Sequence, residues 1–199
     1  YQFLLKNSLA MHIYKQKTKG EIIKLSYDKK CFVPTATSDF IIDSCIKNFN
    51  SANNLLDLGC GIGVVGLTLS SFIKIKNLYS SDVSKESTEY CRMNSKKYEI
   101  INDVRHGSLF DPWENKKFDL IINDISGISE EIANISSWFQ FVPCDSGSDG
   151  LKLTKQIIEQ SKNFLSKKGN IVFPVISLSD HNKLLKFAQK KFKSLKKLS

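Results

Sequence analysis

The stretch Leu55–Leu67, LLDLGCGIGVVGL, decides how the rest of the chain is interpreted. Its apolar beginning predicts a buried strand, and the apolar residues from Val64 onward predict a helix. Three of its glycines spell G-x-G-x-x-G, the pattern of a tight turn beneath a dinucleotide: Gly61, Gly63 and Gly66. Asp57 and Gly59 extend the pattern upstream to D-x-G-x-G-x-G, which suits a different adenosine cofactor. The stretch therefore predicts a strand, a glycine turn and a helix that hold an adenosine-containing ligand.

From Asn54 onward, strand and helix patterns alternate along the chain. The strand segments are NLLDL, NLYSSD, DVRHG, FDLIIND and NIVFPVI, and the helix segments are VVGLTLSSFI, SKESTEYCRMNSKKY, DGLKLTKQIIEQSKNFLSKKG and SDHNKLLKFAQKKF. Ser84 is the expected N-cap of the second helix, and Gly169 is the expected end of the third. Ser179 or Asp180 is expected to cap the fourth. The alternation predicts an α/β fold with a doubly wound, Rossmann-like, mostly parallel sheet.

The first part of the chain predicts a small β extension followed by a helix. MHIYK and EIIKLSY are expected to form a hairpin around Gly20, and CFVP is expected to form a third strand. TSDFIIDSCIKNF has helical spacing, with Thr37 or Ser38 as its N-cap. We therefore divide the chain into an N-terminal β extension at residues 1–36 and one ligand-binding domain at residues 37–199.

The composition favours a single globular domain in a reducing compartment. The chain has 199 residues, of which 41% are hydrophobic, enough for one core. No apolar run approaches the roughly 18 residues that a membrane helix needs, so we expect no membrane contact. Five cysteines occur without C-x-x-C spacing, which indicates free thiols in a cytoplasmic protein: Cys31, Cys45, Cys60, Cys91 and Cys144. The sequence begins at Tyr1 rather than at methionine, so a removed leader stays an open alternative.

The net charge of +9 does not by itself indicate a nucleic-acid partner. Only Arg92 and Arg105 among the 29 basic residues are arginine, the residue best suited to bidentate phosphate contacts. Lysines accumulate toward the C-terminus, where a solvated helix face is favoured and a phosphate-binding surface is the alternative. The three histidines lie on separate segments without metal-ligand spacing, so we expect no metal: His12, His106 and His181.

Asp57 decides between two candidate ligands of the glycine turn, NAD and S-adenosylmethionine. Ligands of parallel α/β sheets bind beyond the carboxyl ends of the strands. Asp82 ends the next strand about 20 residues past the turn, where a carboxylate accepts hydrogen bonds from the ribose hydroxyls of either ligand. Asp57 lies before the turn, where its charge would repel a diphosphate and attract the ammonium of a bound methionine moiety. The pattern therefore favours S-adenosylmethionine, with a nicotinamide enzyme as the weaker alternative.

From Phe32 to about Phe192 the chain resembles the HemK-like group of class I S-adenosylmethionine-dependent methyltransferases. The segments that carry the resemblance are FVPTATSDFIIDSCI, LLDLGCGIGVVGL, SSDVSKESTEYCRMN, HGSLFD and GSDGLKLTKQIIEQS. This group methylates glutamine side chains of release factors or, in relatives, nucleic-acid bases, so the resemblance implies a methyltransferase that uses S-adenosylmethionine. Its fold ends with a sixth strand and an antiparallel seventh. Because FKSLKKLS could only begin the sixth, we expect an incomplete strand pair whose sheet edge a partner or a missing tail covers.

The resemblance also implies a set of cofactor-binding residues. Asp82 would bind the ribose, and Ser108 would replace the usual acid at the adenine amino group. Leu109 and Phe110 would flank the adenine ring. The expected cofactor contacts are Asp57, Gly59, Cys60, Gly61, Gly63, Asp82, Val83, Ser108, Leu109 and Asn123.

The chain departs from this group after the fourth strand of the alternation. The group carries Asn-Pro-Pro-Tyr there, and this chain carries Asn123, Asp124, Ile125 and Ser126. In the group, the asparagine oxygen and the next carbonyl accept hydrogen bonds from the target NH₂, and the aromatic residue stacks on the planar acceptor. Asn123 and the Asp124 carbonyl could do the first, whereas Ser126 cannot stack. The expected catalytic residues are Asn123 and Asp124, and the expected acceptor contacts are Asn123, Ile125, Ser126 and Trp138.

Three questions stay open from the sequence. Asp124 is either a general base for an amine or hydroxyl acceptor or a residue that caps the turn. Trp138, Phe139 and Phe141 either form a lid over the acceptor or pack beneath their loop. The expected function is methyl transfer to a nitrogen (or an oxygen) of an acceptor such as a protein glutamine or a nucleic-acid base. A small-molecule methyltransferase and a catalytically silent binding subunit are the alternatives.

Overall fold

A computed structural model describes residues 11–125, 127–136, 146–176 and 179–198. Their helices and strands, in chain order, are β1 (His12–Thr18), β2 (Glu21–Tyr27), α1 (Ala36–Asn48), β3 (Ser51–Leu58), α2 (Val64–Phe72), β4 (Lys74–Asp82), α3 (Lys85–Lys97), β5 (Asn102–His106), β6 (Phe118–Asn123), α4 (Glu130–Ile135), α5 (Lys152–Ser161), β7 (Leu165–Val172) and α6 (His181–Lys191). None of the helices within these ranges has the length and apolar character that crossing a membrane requires.

Five of the strands form one parallel sheet in the order β5-β4-β3-β6-β7. The strand order reverses between β3 and β6, and a crevice for ligands opens at such a switch point beyond the carboxyl ends of the strands. Leu58, the last residue of β3, lies opposite Asn123, the last residue of β6. The predicted doubly wound sheet is confirmed, and its switch point brings the glycine turn beside the Asn123 segment.

The two faces of the sheet pack against separate apolar clusters. Leu55 of β3 belongs to a cluster with Ile42 of α1, and the neighbouring Leu56 belongs to a second cluster with Trp113. This alternation follows from the period of two in a strand, which sends successive side chains to opposite faces. Asp57 therefore shares the face of Leu55, beneath α1 and α2.

The N-terminal hairpin packs on this domain through Leu25 of β2, which belongs to the apolar cluster of Leu55, and through polar contacts. Its turn, Lys19–Gly20, has positive φ at both residues, as two-residue hairpin turns favour. Gln16 on the inner face of β1 is buried, and its Nε2 donates to Asp39 Oδ1 of α1 at 2.6 Å. Ser26 N of β2 donates to Asn94 Oδ1 of α3 at 2.8 Å. The hairpin is thereby fixed against the helices that carry part of the site.

Three expectations for secondary structure are wrong. CFVP forms no strand, and the N-cap of α1 is Thr35 rather than Thr37 or Ser38, because the helix already begins at Ala36. The third helix of the alternation ends at Ser161, and Gly169 lies inside β7 instead of closing that helix. A Cβ on Gly169 would lie 2.7 Å from the Phe118 carbonyl, so a close strand approach explains this glycine.

The expected caps of α3 and α6 and the free thiols of the described residues are confirmed, whereas the expected start of a sixth strand is not. Ser84 caps α3 by accepting from Ser87 N, and Asp180, one of two candidates, caps α6 by accepting from Lys183 N. The described cysteines are all buried free thiols: Cys31, Cys45, Cys60 and Cys91. Phe192–Leu198, expected to begin a sixth strand, contains no strand. Leu198 packs instead against the cluster of α1 and α2.

Candidate functional site

The glycine turn is tied to the end of β4 by backbone hydrogen bonds. Gly59 N and Cys60 N both donate to the Ser81 carbonyl, at 2.9 and 3.0 Å. Gly59 and Gly61 have φ of +76° and +52°, a region that glycine enters without steric cost. No atom of a described residue lies within 4 Å of the place that a Cβ on Gly61 would occupy. The turn therefore keeps an open side at the switch point.

Asp82 organises the turn as well as ending β4. Its Oδ2 accepts from Gly61 N at 2.9 Å, and its Oδ1 accepts from Ser84 N at 2.8 Å. Burial raises the pKa of Asp82, and the N–H groups of Ser84 and Gly61 partly offset that rise. Each carboxylate oxygen has a second lone pair, so Asp82 can still accept from ribose hydroxyls. Sequence reasoning found its place at the strand end and missed its bond to the turn.

Asp57 lies beneath the turn, completely buried. Its Oδ2 accepts from Gly66 N of α2 at 2.8 Å, whereas its Oδ1 has no hydrogen-bond partner among the described residues. Burial raises the pKa of Asp57 to about 7, against the lowering effect of the Gly66 N–H. A sealed carboxylate of this kind acts on a ligand above the turn through its charge, which water screens little. A cation there would stabilise the ionised form.

Asn123 closes the turn that follows β6. Its Oδ1 accepts from Ile125 N at 3.0 Å, while its Nδ2 is buried and has no partner in the part of the chain that the structure describes. Only the amide oxygen can accept a hydrogen bond from the Ile125 N–H, so this bond leaves the NH₂ group of Asn123 as the free end of the amide. The Asn-Pro-Pro-Tyr motif has proline at this position, and proline has no N–H to donate. Here, then, the Asn123 amide presents an unpaired NH₂ rather than an unpaired oxygen.

Ile125 lies directly against the glycine turn. A Cβ placed on Gly59 would come within 2.3 Å of Ile125 Cγ1, so the two residues are in close contact. The structure therefore brings the cofactor motif and the predicted acceptor motif together. Ser126 and Trp138, the other expected acceptor contacts, lie outside the described residues, as do Phe139 and Phe141.

Asp124 turns toward α1 on the face of the sheet that holds Asp57. Ser38 Oγ donates to Asp124 Oδ2 at 2.5 Å. Burial raises the pKa of Asp124 to about 6, and the bond from Ser38 lowers it in part. Among the described residues, no backbone N–H donates to this carboxylate. The N–H that closes the turn, that of Ile125, donates to Asn123 instead. Sequence reasoning missed Ser38 as a contact of Asp124, because the two residues are 86 positions apart.

The ends of β4 and β5 offer apolar groups for a ring. Val83 is 52% exposed beside Asp82, and Leu109 is partly buried at the end of β5 next to the exposed Ser108. Phe110 was expected to flank the adenine and is placed elsewhere. It is buried and stacks on Phe164, with 4.5 Å between the ring centroids. Val83 and Leu109 are thus the accessible apolar side chains after these two strands.

A parallel sheet of this order, with a glycine turn at its switch point and a carboxylate at the next strand end, defines a Rossmann-like fold with a ligand crevice at the switch point. Residues 36–124 match the family called methyltransferase small domain. The resemblance to the HemK-like group is confirmed by curated relatives. One is the release factor glutamine methyltransferase of Borreliella burgdorferi, 27% identical over 176 residues, which are 84% of this chain and 61% of that protein.

A second relative is the ribosomal protein uL3 glutamine methyltransferase of Francisella tularensis, 26% identical over 65% of this chain and 43% of that protein. The chain thus spans about half the length of the curated relatives it matches. Among solved structures, the T. thermophilus 16S rRNA N2 G1207 methyltransferase in complex with AdoMet and guanosine has a TM-score of 0.64 at 12% identity, covering 92% of this chain and 46% of that one. The ribosomal protein L11 methylase from Lactobacillus delbrueckii subsp. bulgaricus has a TM-score of 0.62 at 18% identity, covering 83% and 73%. These two likenesses show the fold.

Proposed function

We propose that this chain is an S-adenosylmethionine-dependent methyltransferase that methylates a side-chain amide nitrogen of a protein. The observation that carries the proposal is the meeting of the glycine turn with Asn123 and Ile125 at the switch point. The names of the two curated relatives, both glutamine methyltransferases, support a protein amide as the acceptor. The cytoplasmic location expected from the cysteines stays a prediction.

The residues around the turn fit S-adenosylmethionine better than NAD. Asp57 has a buried oxygen without a partner, and the turn is open above Gly61. Asp124 adds a further carboxylate near Asp57, and both would repel a diphosphate, whereas Asp82 suits the ribose of either ligand. When bound, S-adenosylmethionine supplies an activated methyl group. In this proposal Asp82 binds its ribose, and Asp57 attracts its ammonium group.

Asn123 is proposed to orient the acceptor. Its free NH₂ can donate to the carbonyl oxygen of an amide, while the Asp124 carbonyl can accept from the amide nitrogen. An amide offers this acceptor–donor pair side by side, whereas a simple amine does not. Holding the reacting groups in line is worth about 7–11 kcal/mol of barrier in favourable cases. The Nδ2 is sealed from solvent and has no partner among the described residues, so in this proposal a small displacement of the segment after β6 opens it to the acceptor. The new bond then removes a cost of about 1–3 kcal/mol.

Titration calorimetry tests the cofactor, and a labelled donor tests the acceptor. S-adenosylhomocysteine is expected to bind to the chain and NAD is not. Incubation with methyl-tritiated S-adenosylmethionine and a cell extract, followed by separation of protein, RNA and small molecules, is expected to leave the label in protein. Label in RNA or in small molecules would overturn the proposed acceptor. Binding of NAD instead of S-adenosylhomocysteine would overturn the proposed activity.

Cofactor binding is expected to release protons near neutral pH. Without a ligand, burial holds the pKa of Asp57 at about 7 and that of Asp124 at about 6, so both are partly protonated at pH 6.5. A cationic ligand favours the ionised carboxylates and lowers both pKa values, so protons leave as it binds. The affinity should therefore rise with pH up to about 7 and then level off.

The proton release can be measured by calorimetry in buffers of different ionisation enthalpy at pH 6.5 and pH 8.5. The apparent binding enthalpy should depend on the buffer at pH 6.5 and hardly at all at pH 8.5. S-adenosylhomocysteine, which lacks the sulfonium charge, should release fewer protons than S-adenosylmethionine. Equal enthalpies in all buffers at pH 6.5 would contradict the prediction.

A further inference from the structure

We propose that Ser38 is a positioning residue for Asp124, and that the Asp124 carboxylate it holds takes up the proton of the methylated nitrogen. This inference rests on the proposed methyl transfer and deepens it. It assigns a role to a residue of α1 that sequence analysis considered only as a helix cap.

The contact between the two residues is specific. Ser38 lies in the first turn of α1, is 3% exposed and donates its hydroxyl proton to Asp124 Oδ2 at 2.5 Å. A serine near a helix start ordinarily bonds to backbone groups of its own helix. Here Thr35 is the N-cap residue, which leaves the Ser38 hydroxyl for the segment beyond β6. The bond therefore fixes one oxygen of the carboxylate and leaves the other available to a ligand.

The surroundings of Asp124 favour a proton acceptor over an ion pair. Asp57 lies close enough to Asp124 that the charge of Asp124 contributes to the raised pKa of Asp57. The pKa of Tyr14 on β1 is raised mainly by burial and further by the charges of Asp39 and Asp124. The Tyr14 hydroxyl donates to Gln16 Oε1 at 3.0 Å. Among the described residues, no ion pair includes Asp124. The neighbours of the carboxylate are thus acidic or neutral, and burial raises the pKa of Asp124, which makes it a stronger base than an ordinary aspartate.

The proposed step balances without any further reactant. The lone pair of the acceptor nitrogen forms the new N–C bond while the C–S bond of the methyl donor breaks, and the electron pair of that bond stays on sulfur. The nitrogen then carries one proton too many, and an N-methylated amide cation is a strong acid. That proton passes to the free oxygen of Asp124 and later to water. A base with a pKa of about 6 suits this transfer and is ionised at pH 7.5.

The test compares Ser38→Ala with Ser38→Thr, which keeps a hydroxyl, and with Ser44→Ala as a control elsewhere on α1. The readout is the titration of Asp124 followed by ¹³C NMR of its carboxyl carbon, assigned with Asp124→Asn. Since the hydroxyl lowers the pKa of Asp124, Ser38→Ala should raise the midpoint, and Ser38→Thr should restore it toward the wild-type value. Ser44→Ala should leave it unchanged. In the labelled-protein assay, the acidic limb of the kcat profile should move to higher pH in Ser38→Ala, with kcat about tenfold lower at pH 6.5 and the donor KM within threefold.

Two results would overturn the inference. The first is a titration midpoint of Asp124 that is the same in Ser38→Ala as in the wild type. The second is a midpoint near 4 in the wild-type protein itself. Failure of the proposed function looks different, because wild-type protein would then not bind S-adenosylhomocysteine although the midpoint still responded to Ser38→Ala. Calorimetry with S-adenosylhomocysteine on the wild-type and Ser38→Ala proteins separates the two failures.

Discussion

Asp57→Asn is expected to weaken the binding of S-adenosylhomocysteine by about 10- to 100-fold at pH 8. The amide keeps the shape of the side chain, and its oxygen can still accept from Gly66 N. What the variant loses is the negative charge beneath the glycine turn, which attracts the ammonium of the ligand. Two opposite unit charges about 8 Å apart attract each other by about 2 kcal/mol at an effective dielectric constant of about 20, which corresponds to a loss of this size. Titration calorimetry measures the effect directly.

The same variant should not destabilise the protein at pH 8. The pKa of Asp57 is about 7 in the folded chain, above its ordinary value of 3.8. Between these values the folded state binds more protons than the unfolded state, so the contribution of Asp57 to stability falls as the pH rises from about 4 to 7. The uncharged amide of the variant removes this penalty, and the free energy of unfolding at pH 8 should be equal to or above that of the wild type.

Asp119→Asn is a matched control for Asp57→Asn. Asp119 lies at the opposite end of the sheet, where its oxygens accept from Asn53 N at 2.8 Å and Asn54 N at 2.6 Å. Its replacement should lower the free energy of unfolding without changing the affinity for S-adenosylhomocysteine. Wild-type affinity in Asp57→Asn would contradict the role given to the charge beneath the turn.

The sequence predicts those parts of the site that depend on local patterns. Asp57 and Asp82 were placed at strand ends because apolar runs and glycines mark where strands stop. The parallel sheet followed from the alternation of such runs with helical spacing. A ligand crevice beyond the strand ends is then a consequence of the topology. The pairing of β3 with β6, which brings the Gly59 turn to Asn123, joins residues 65 positions apart, and the alternation alone does not predict it.

Contacts that depend on exact backbone positions could not be predicted in this way. The Ser38–Asp124 bond joins residues far apart in the chain, and no periodicity indicates it. The stacking of Phe110 on Phe164 depends on how the end of β5 packs against the segment after α5. Gly169 follows a pair of lysines, a pattern typical of a helix end, although it lies inside β7. In each case tertiary packing decides between two locally acceptable structures.

Two glycines of the turn should respond to alanine in different ways. Gly59→Ala requires a positive φ and also places a methyl group against Ile125, so we expect a loss of about 2–4 kcal/mol in the free energy of unfolding. Gly61→Ala has the same conformational requirement but nothing within 4 Å of its methyl group. It should lose only about 1–2 kcal/mol of stability, and because the methyl group fills the open side of the turn, it should weaken S-adenosylhomocysteine binding by about tenfold or more.

Gly20→Ala in the hairpin isolates the conformational cost. Its φ is +89°, and nothing lies within 4 Å of the added methyl group, far from the glycine turn. Its free energy of unfolding, measured with urea, should match that of Gly61→Ala. Its affinity for S-adenosylhomocysteine, measured by calorimetry, should match that of the wild type. The double variant Gly59→Ala with Ile125→Ala should recover the part of the loss that comes from the clash and leave the part that comes from φ. If Gly61→Ala bound the ligand like Gly20→Ala, the open side of the turn would not be the place where the cofactor lies.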